Sequence, residues 1–390
     1  MLDGINVALG VTGSIAAVKT VELAHELRRQ GAEVRALMSD SARGIIHPWA
    51  LEFATERDVV TEITGRVEHV DLCGRDGWAD VLLIAPATAN TVGKIAGAVD
   101  DTPVTTAATT ALGADVPVVV APAMHEPMYD HPGVLDAIER VESWGVDFVD
   151  PRIEEGKAKI ATAEAIVTAL ARATTPQDLA GRHIVVTGGA TSEAIDPIRV
   201  LTNRASGRTG REVARACHIR GAEVTLIHDD PAVQYADVVE IESAAEMLAA
   251  ADAACEDADA MVSAAAIGDY TVQEASAKLR SGEARTLELE PTPKVLDSIR
   301  QGHPELPLIG FKAETTGDDA ALLEQAVALR DRIDLTFVVA NDATVMGETD
   351  TRALLVDRAA ETVADCEVVE GPKRLLGDRI AGRLATLLDE

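Results

Sequence analysis

Short apolar runs and amphipathic stretches alternate along this chain in the order strand, helix, strand. Residues 5–11 (INVALGV) are apolar without alternation, as in a strand covered on both faces. Thr12-Gly13-Ser14-Ile15 interrupts the run, and Val18, Val21, Leu23, Ala24 and Leu27 then give an apolar helical pattern that Gly31 ends. Residues 33–39 (EVRALMS) predict a second strand. The alternation continues with a strand over 81–85, a polar turn Pro86-Ala-Thr-Ala-Asn90, a helix over 91–98 and a strand over 116–121. A helix over 134–144, a strand over 146–149 and a helix over 163–173 close this half.

Past residue 181 the same opening recurs: strand HIVVTGG, a turn, a helix over 212–220, Gly221 and strand EVTLIHD. RRQGAEVRALMSD in the first half stands against HIRGAEVTLIHDD in the second. Two βαβ openings predict an α/β protein of two doubly wound domains. The Thr-, Pro- and Gly-bearing segment 171–181 is the expected boundary, giving domains over 1–175 and 181–390. Ligands of such sheets bind outside the carboxyl ends of the strands, and Gly13, Ser39, Thr88 and Pro122 all fall at such ends.

Composition narrows the function classes. The 390 residues exceed one ordinary core, and aromatics are only 3%, so the two cores are expected to be built from Ala, Val, Leu and Ile. Lys plus Arg number 35 against 65 Asp plus Glu, a formal net charge of -30. That field repels nucleic acid and anionic membranes, so neither is expected as a partner. Only eight of the 35 basic residues are lysines, which suggests a halophilic protein kept soluble at high salt, and a lysine retained in such a chain is expected to have a task. Cys73, Cys217, Cys255 and Cys366 form no C-x-x-C pair, against a disulfide framework and a structural zinc site. No apolar run reaches the roughly 18 residues of a membrane span. With no basic, signal-like start, a cytoplasmic location is expected.

The chemistry of the first half begins at G-x-x-G-S, where backbone N–H groups, a helix start and the Ser14 hydroxyl suit a phosphate; a plain strand-to-helix turn is the alternative. G-x-G-x-x-G is absent, which favours one phosphate over a pyrophosphate. Thr88 and Asn90 offer polar groups to a flat heteroaromatic ring, or simply cap the next helix. His69 sits in a short alternating run, VEHVDL, where a lone histidine is more often structural than catalytic.

GSIAAVK, VEHVDL, APATANTVGKIA and APAMHEPMY together resemble the flavin-dependent cysteine decarboxylases, over nearly all of residues 4–170. Specifically, they resemble the decarboxylase half of the bifunctional phosphopantothenoylcysteine decarboxylase/phosphopantothenate–cysteine ligases. The resemblance implies a flavodoxin-like fold binding FMN in a crevice shared between subunits of a homo-oligomer, a trimer whose further pairing into dodecamers stays open. It places the FMN phosphate on Gly13, Ser14 and Ile15, with further cofactor contacts at Ser39, Thr88, Asn90, Thr106 and Thr109. It implies oxidation of the substrate's cysteine moiety to a thioaldehyde, loss of CO₂ and return of hydride to the enethiol, the protein supplying orientation and a base. His69 matches the family's essential histidine, for proton transfer at the reacting end.

Two departures from the family matter. Relatives usually have PAMN where this chain has Pro122-Ala-Met124-His125, so His125 is read as a donor to the substrate carboxylate, beside Met124. His131 is read as a turn residue. The family's clamp-loop cysteine is missing from PRIEEGKAKI (151–160), where Lys157 and Lys159 either bind the substrate phosphate, act on the intermediate, or are solvated charges.

The second half presents TGGATSE, a Gly-punctuated run Arg204–Gly210, and polar residues after the strands at 261–267, 308–311 and 338–340. No Ser-His-Asp or Cys-His arrangement is evident. DPIRVLTNRASGRTG, SAAAIGDY, KLRS, PTPKVL, GFKAET and VANDA resemble the ligase domain of the same bifunctional family, across 181–390. The resemblance implies a Rossmann-like nucleotide-binding sheet that joins 4'-phosphopantothenate with L-cysteine, using CTP and Mg²⁺ through an acyl-cytidylate. By motif position Asn203 holds the acyl-cytidylate, Arg199 assists the second half-reaction, and Asp269, Lys278 and Phe311 contact CTP. Ala265, Lys312 and Asn341 fall by the same pocket; Lys278 stabilises charge at the α-phosphate, with Arg280 as a charge substitute. Metal ligands are not singled out.

A nicotinamide dehydrogenase is the first competitor, opposed by the missing G-x-G-x-x-G. A single-activity flavoprotein decarboxylase and a non-enzymatic regulatory flavoprotein of the same fold are the others. Retention of His69 beside a complete-looking second half speaks against a regulator, and a flavin prenyltransferase has no use for that half.

Overall fold

The computed structural model describes residues 1–230, 233–282, 284–314, 318–342 and 350–389. Two compact units divide it, Met1–Pro176 and Gln177–Glu390. Residues 177–180 pack with the second unit: Leu179 is buried in its core and donates its N–H to Arg220 O at 2.9 Å, and Gln177 Nε2 donates to Ile219 O at 3.0 Å. Among the described residues no helix is long and apolar enough to cross a membrane.

In the first unit the strands are β1 (Asn6–Val11), β2 (Glu33–Met38), β3 (Val81–Ala87), β4 (Val118–Pro122), β5 (Met124–His125), β6 (Asp147–Phe148), β7 (Arg152–Glu154) and β8 (Lys157–Lys159). A parallel five-stranded sheet runs β2-β1-β3-β4-β6. β3 and β4 are buried along their whole length, as unbroken apolar runs require in a sheet covered on both faces. Strand order reverses between β1 and β3, where a doubly wound sheet leaves its ligand crevice. The hydroxyl of the buried Thr12 joins the two strand ends, donating to Pro86 O at 2.7 Å and accepting from Thr88 N at 3.2 Å.

Three local features depart from the sequence pattern. Ile15–Lys19 is a 3₁₀ segment and the α-helix starts only at Thr20, so Val18 lies exposed off the apolar stripe. VEHVDL is helical over Glu68–Cys73, not extended. A helix over Pro103–Gly113 has no counterpart in the predicted elements, because its Ala and Thr residues are buried without forming a distinct apolar stripe.

The second unit adds β9 (His183–Thr187), β10 (Ser192–Asp196), β11 (Arg199–Thr202), β12 (Glu223–His228), β13 (Asp237–Glu240), β14 (Ala260–Ser263), β15 (Tyr270–Val272), β16 (Leu289–Pro291), β17 (Leu308–Glu314), β18 (Phe337–Asp342), β19 (Asp350–Asp357) and β20 (Glu367–Pro372). Its eight-stranded sheet runs β13-β12-β9-β14-β17-β18-β19-β20, parallel up to β18 and antiparallel beyond. Order reverses between β9 and β14, which sets a second crevice at their carboxyl ends. Two antiparallel hairpins, β10–β11 and β15–β16, lie outside the sheet.

Candidate active sites

A cavity of about 650 Å³ in the first unit collects Gly13, Ser14, Ile15, Thr88, Met124, His125, Lys157 and Lys159 in its lining. Gly13 is demanded by close approach: a Cβ there would stand 2.5 Å from Ser41 Cβ. Ser14 caps the 3₁₀ segment, accepting from Ala16 N at 3.4 Å. Because a five-residue 3₁₀ turn carries little macrodipole, its anion-binding capacity rests on N–H groups and the Ser14 hydroxyl.

Other expected residues lie elsewhere in the unit. Ser39 is buried as the cap of Asp40–Arg43, its hydroxyl 3.0 Å from Ser41 Oγ. Asn90 is exposed at the start of Ala89–Ala96. Thr106 and Thr109 belong to the helix Pro103–Gly113, Thr106 donating to Asp100 O at 3.0 Å and Thr109 exposed. His69 stands on Glu68–Cys73, which packs against that helix; it does not line the cavity, and its Nδ1 is buried without a partner. Eight expected residues thus line the cavity and Ser39 adjoins it through Ser41, while His69, Thr106 and Thr109 lie on two packed helices outside its lining.

The cavity's outer wall is a three-stranded ribbon, β5-β8-β7. Lys159 is held between Glu154 and Glu155 at 3.0 Å each, and those hydrogen bonds raise its pKa. Cys73, the first unit's only cysteine, is fully buried outside the cavity lining, and burial pushes its thiol up to about 12. His131 caps the helix Pro132–Glu142, accepting from Gly133 N at 3.1 Å, which is a turn residue's task.

In the second unit a hollow of about 210 Å³ at the ends of β14 and β17 brings together Ala265, Asp269 and Phe311. It also holds Lys294, whose ammonium lies 2.6 Å from Asp269 Oδ1. Asn203 donates from Nδ2 to Ala266 O at 2.9 Å, beside this hollow rather than in its lining. Lys278 is exposed and outside the lining; Lys312 and Asn341 stand on the neighbouring β17 and β18, opposite Ala340 and Ala313. Thr315 of GFKAET and Ala343 of VANDA lie outside the described residues.

Asp196 orders this unit's loops. Its buried carboxylate accepts from Leu279, Ile198 and Arg199 N–H groups, each at 3.0 Å, and from the Arg199 guanidinium, which also donates to Leu279 O. The Leu279 N–H, with the other donors, holds the carboxyl far below the usual carboxylate range. His228, at the end of β12, is buried against Gly188, Gly189 and Gly207; a Cβ on Gly207 would meet its Nε2 at 2.1 Å. Burial, with Arg211 nearby, lowers its pKa.

Residues 1–175 match the Flavoprotein family, and residues 179–387 match the DNA/pantothenate metabolism flavoprotein C-terminal domain. The chain is 47% identical over 363 residues to the coenzyme A biosynthesis bifunctional protein CoaBC of Thermococcus kodakarensis, covering 92% of this chain and 90% of that one. The Methanocaldococcus jannaschii protein of that name is 33% identical over 396 residues, covering 100% and 95%. That of Bacillus subtilis is 33% identical over 368 residues, covering 89% and 88%.

The chain belongs to the CoaBC family. It is a bifunctional enzyme of coenzyme A biosynthesis, with a flavoprotein decarboxylase half and a ligase half. Lys294 lines the second unit's hollow and Lys19 and Arg152 line the first unit's cavity, while Asp196 holds the Leu279 N–H; none of the four is among the residues expected from the sequence. Lys294, Asp196 and Lys19 stand inside the motifs PTPKVL, DPIRVLTNRASGRTG and GSIAAVK, and both lysines carry a signal in the scarcity of lysine. Arg152 carried none, because Arg is abundant.

Proposed function

We propose that the ligase half of this chain joins 4'-phosphopantothenate to L-cysteine with CTP, through an acyl-cytidylate, and that the other half decarboxylates the product to 4'-phosphopantetheine with FMN. The observation that carries this reading is the cavity at the β1/β3 crevice, lined by eight of the residues expected at cofactor and substrate. The lining fits FMN. Ile15, Val18, Ala123, Met124 and Met128 offer apolar surface to a flat ring, Gly13 leaves the backbone open, and no carboxylate faces the space. FMN bound there supplies the two-electron oxidation and the return of hydride.

The chain's own residues orient the substrate and move protons. His125 donates an N–H to the substrate carboxylate, and Met124 packs beside it. His69 moves the proton at the reacting end; its absence from the cavity lining and its unpartnered Nδ1 support a site completed by a second copy in a homo-oligomer. Thr106 and Thr109, on the helix that packs against that of His69, fall with it to that second copy's share.

In the ligase half Asn203 holds the activated acyl group and Lys278 opposes charge at the α-phosphate. Arg199 orders the Lys278–Arg280 segment through Asp196 and Leu279. No group of three or more His, Cys, Asp or Glu side chains gathers among the described residues. Mg²⁺ would accordingly be held largely by the nucleotide's phosphates and water.

Denatured protein is expected to release FMN, identified by its visible spectrum and chromatography; riboflavin, or no flavin, contradicts the cofactor assignment. Gly13→Ala, which drives a methyl into Ser41, is expected to lower flavin content about tenfold in the same measurement. His125→Asn is expected to keep CO₂ release, since an amide also donates to a carboxylate; its loss contradicts the His125 reading.

A further inference from the structure

We propose that the mouth of the decarboxylase cavity seats a phosphate monoester, the substrate's terminal phosphate, between Lys19, Arg152 and Lys157; the assignment rests on the decarboxylase reading above. The chain carries 65 acidic against 35 basic residues, yet Lys19, Arg152, Lys157 and Lys159 line this cavity and no Asp or Glu does. Three of the chain's eight lysines thus meet at one hollow.

The ribbon accounts for the gathering. Side chains alternate along a strand, and residues directly opposite share a face. His125 stands opposite Lys157, and Lys159 opposite Arg152. One face therefore carries these four together with Glu154, which also stands opposite Lys157, while Met124 and Ala158, alternating with them, add apolar lining to the cavity. The two-residue turn Glu155-Gly156, both at positive φ, sets that register.

The cations are not equivalent. Lys159 is neutralised by Glu154 and Glu155, and Arg152 shares Glu154 at 3.0 Å. Lys19 and Lys157 make no ion pair or hydrogen bond through their ammonium groups among the described residues. Glu154 and Glu155 reach them only through space, so the N–H donors of the two lysines are left for a phosphate dianion to engage in charge-assisted hydrogen bonds. A smaller hollow of about 220 Å³ shares Lys19, Arg152 and Ile160 with the cavity but is lined by Glu22, so an anion is turned toward the larger space.

Two phosphate monoesters enter such a site, the flavin's and the substrate's. Gly13 and Ser14 offer N–H and hydroxyl groups to the first, at the end of β1; the ribbon cations are left for the second. The test compares wild type with Lys19→Met, Lys157→Met and the double variant, on 4'-phosphopantothenoylcysteine and on pantothenoylcysteine without the phosphate. The preference in kcat/KM for the phosphorylated substrate is expected to fall about tenfold per lysine. Calorimetric titration with 4'-phosphopantetheine against pantetheine should show the same lost preference, with flavin content preserved. An equal loss on both substrates, or an unchanged preference, overturns the proposal. So does loss of FMN with retention of riboflavin, which would give these cations to the cofactor. If wild type releases CO₂ from neither substrate, the decarboxylase reading fails first.

Discussion

His69→Asn is expected to abolish CO₂ release from 4'-phosphopantothenoylcysteine while leaving pyrophosphate release from CTP near the wild-type rate. His69 stands in the first unit, on a helix bounded by Val67 at positive φ and Gly74, so the change perturbs neither a strand nor the ligase hollow. Asparagine approximates the ring's size and keeps a donor but cannot carry the proton. General acid–base catalysis contributes about a hundredfold or more, and CO₂ release should fall by at least that factor. Loss of both activities would contradict the division of labour; retention of CO₂ release would remove His69 from the chemistry.

Asp196→Asn is expected to do the converse, lowering pyrophosphate release about a hundredfold with CO₂ release from added phosphopantothenoylcysteine kept. The carboxylate accepts from four donors with no exposed side-chain surface, and an amide cannot accept from all of them. The Leu279 N–H and the Arg199 guanidinium would lose their anchor, and with them the placement of Lys278. Because its folded carboxyl titrates below its unfolded value of about 3.9, Asp196 adds stability that is complete above that pH and is lost as pH falls through the folded value. Thermal melts of the variant should therefore lose part of wild type's acid-side decline. An unchanged ligase rate would contradict the positioning role.

How far the sequence was legible follows from which interactions are local. The buried parallel strands read directly, because β3 and β4 are apolar on both faces, and residues at strand ends such as Gly13 and Thr88 came with them. Pro103–Gly113 did not read as a helix because Ala and Thr pack tightly without an apolar stripe. His69 was visible only through family resemblance; a six-residue helix between Val67 and Gly74 has too few positions for periodicity to separate it from a strand. The Lys294–Asp269 and Asp196–Leu279 contacts join residues far apart in sequence, and spacing holds no trace of such pairs. The difference between Lys159 and Lys157 likewise depends on the hairpin folding two glutamates back onto one ammonium and not the other.

The most direct measurement supplies the purified protein, in high-salt buffer, with 4'-phosphopantothenate, L-cysteine, CTP and Mg²⁺, and follows pyrophosphate and CO₂ together. The two are expected in equal final amounts, pyrophosphate leading; without CTP neither should appear, while added 4'-phosphopantothenoylcysteine should yield CO₂ alone. Pyrophosphate never followed by CO₂, or CO₂ from phosphopantothenate and cysteine without a nucleotide, would contradict the account.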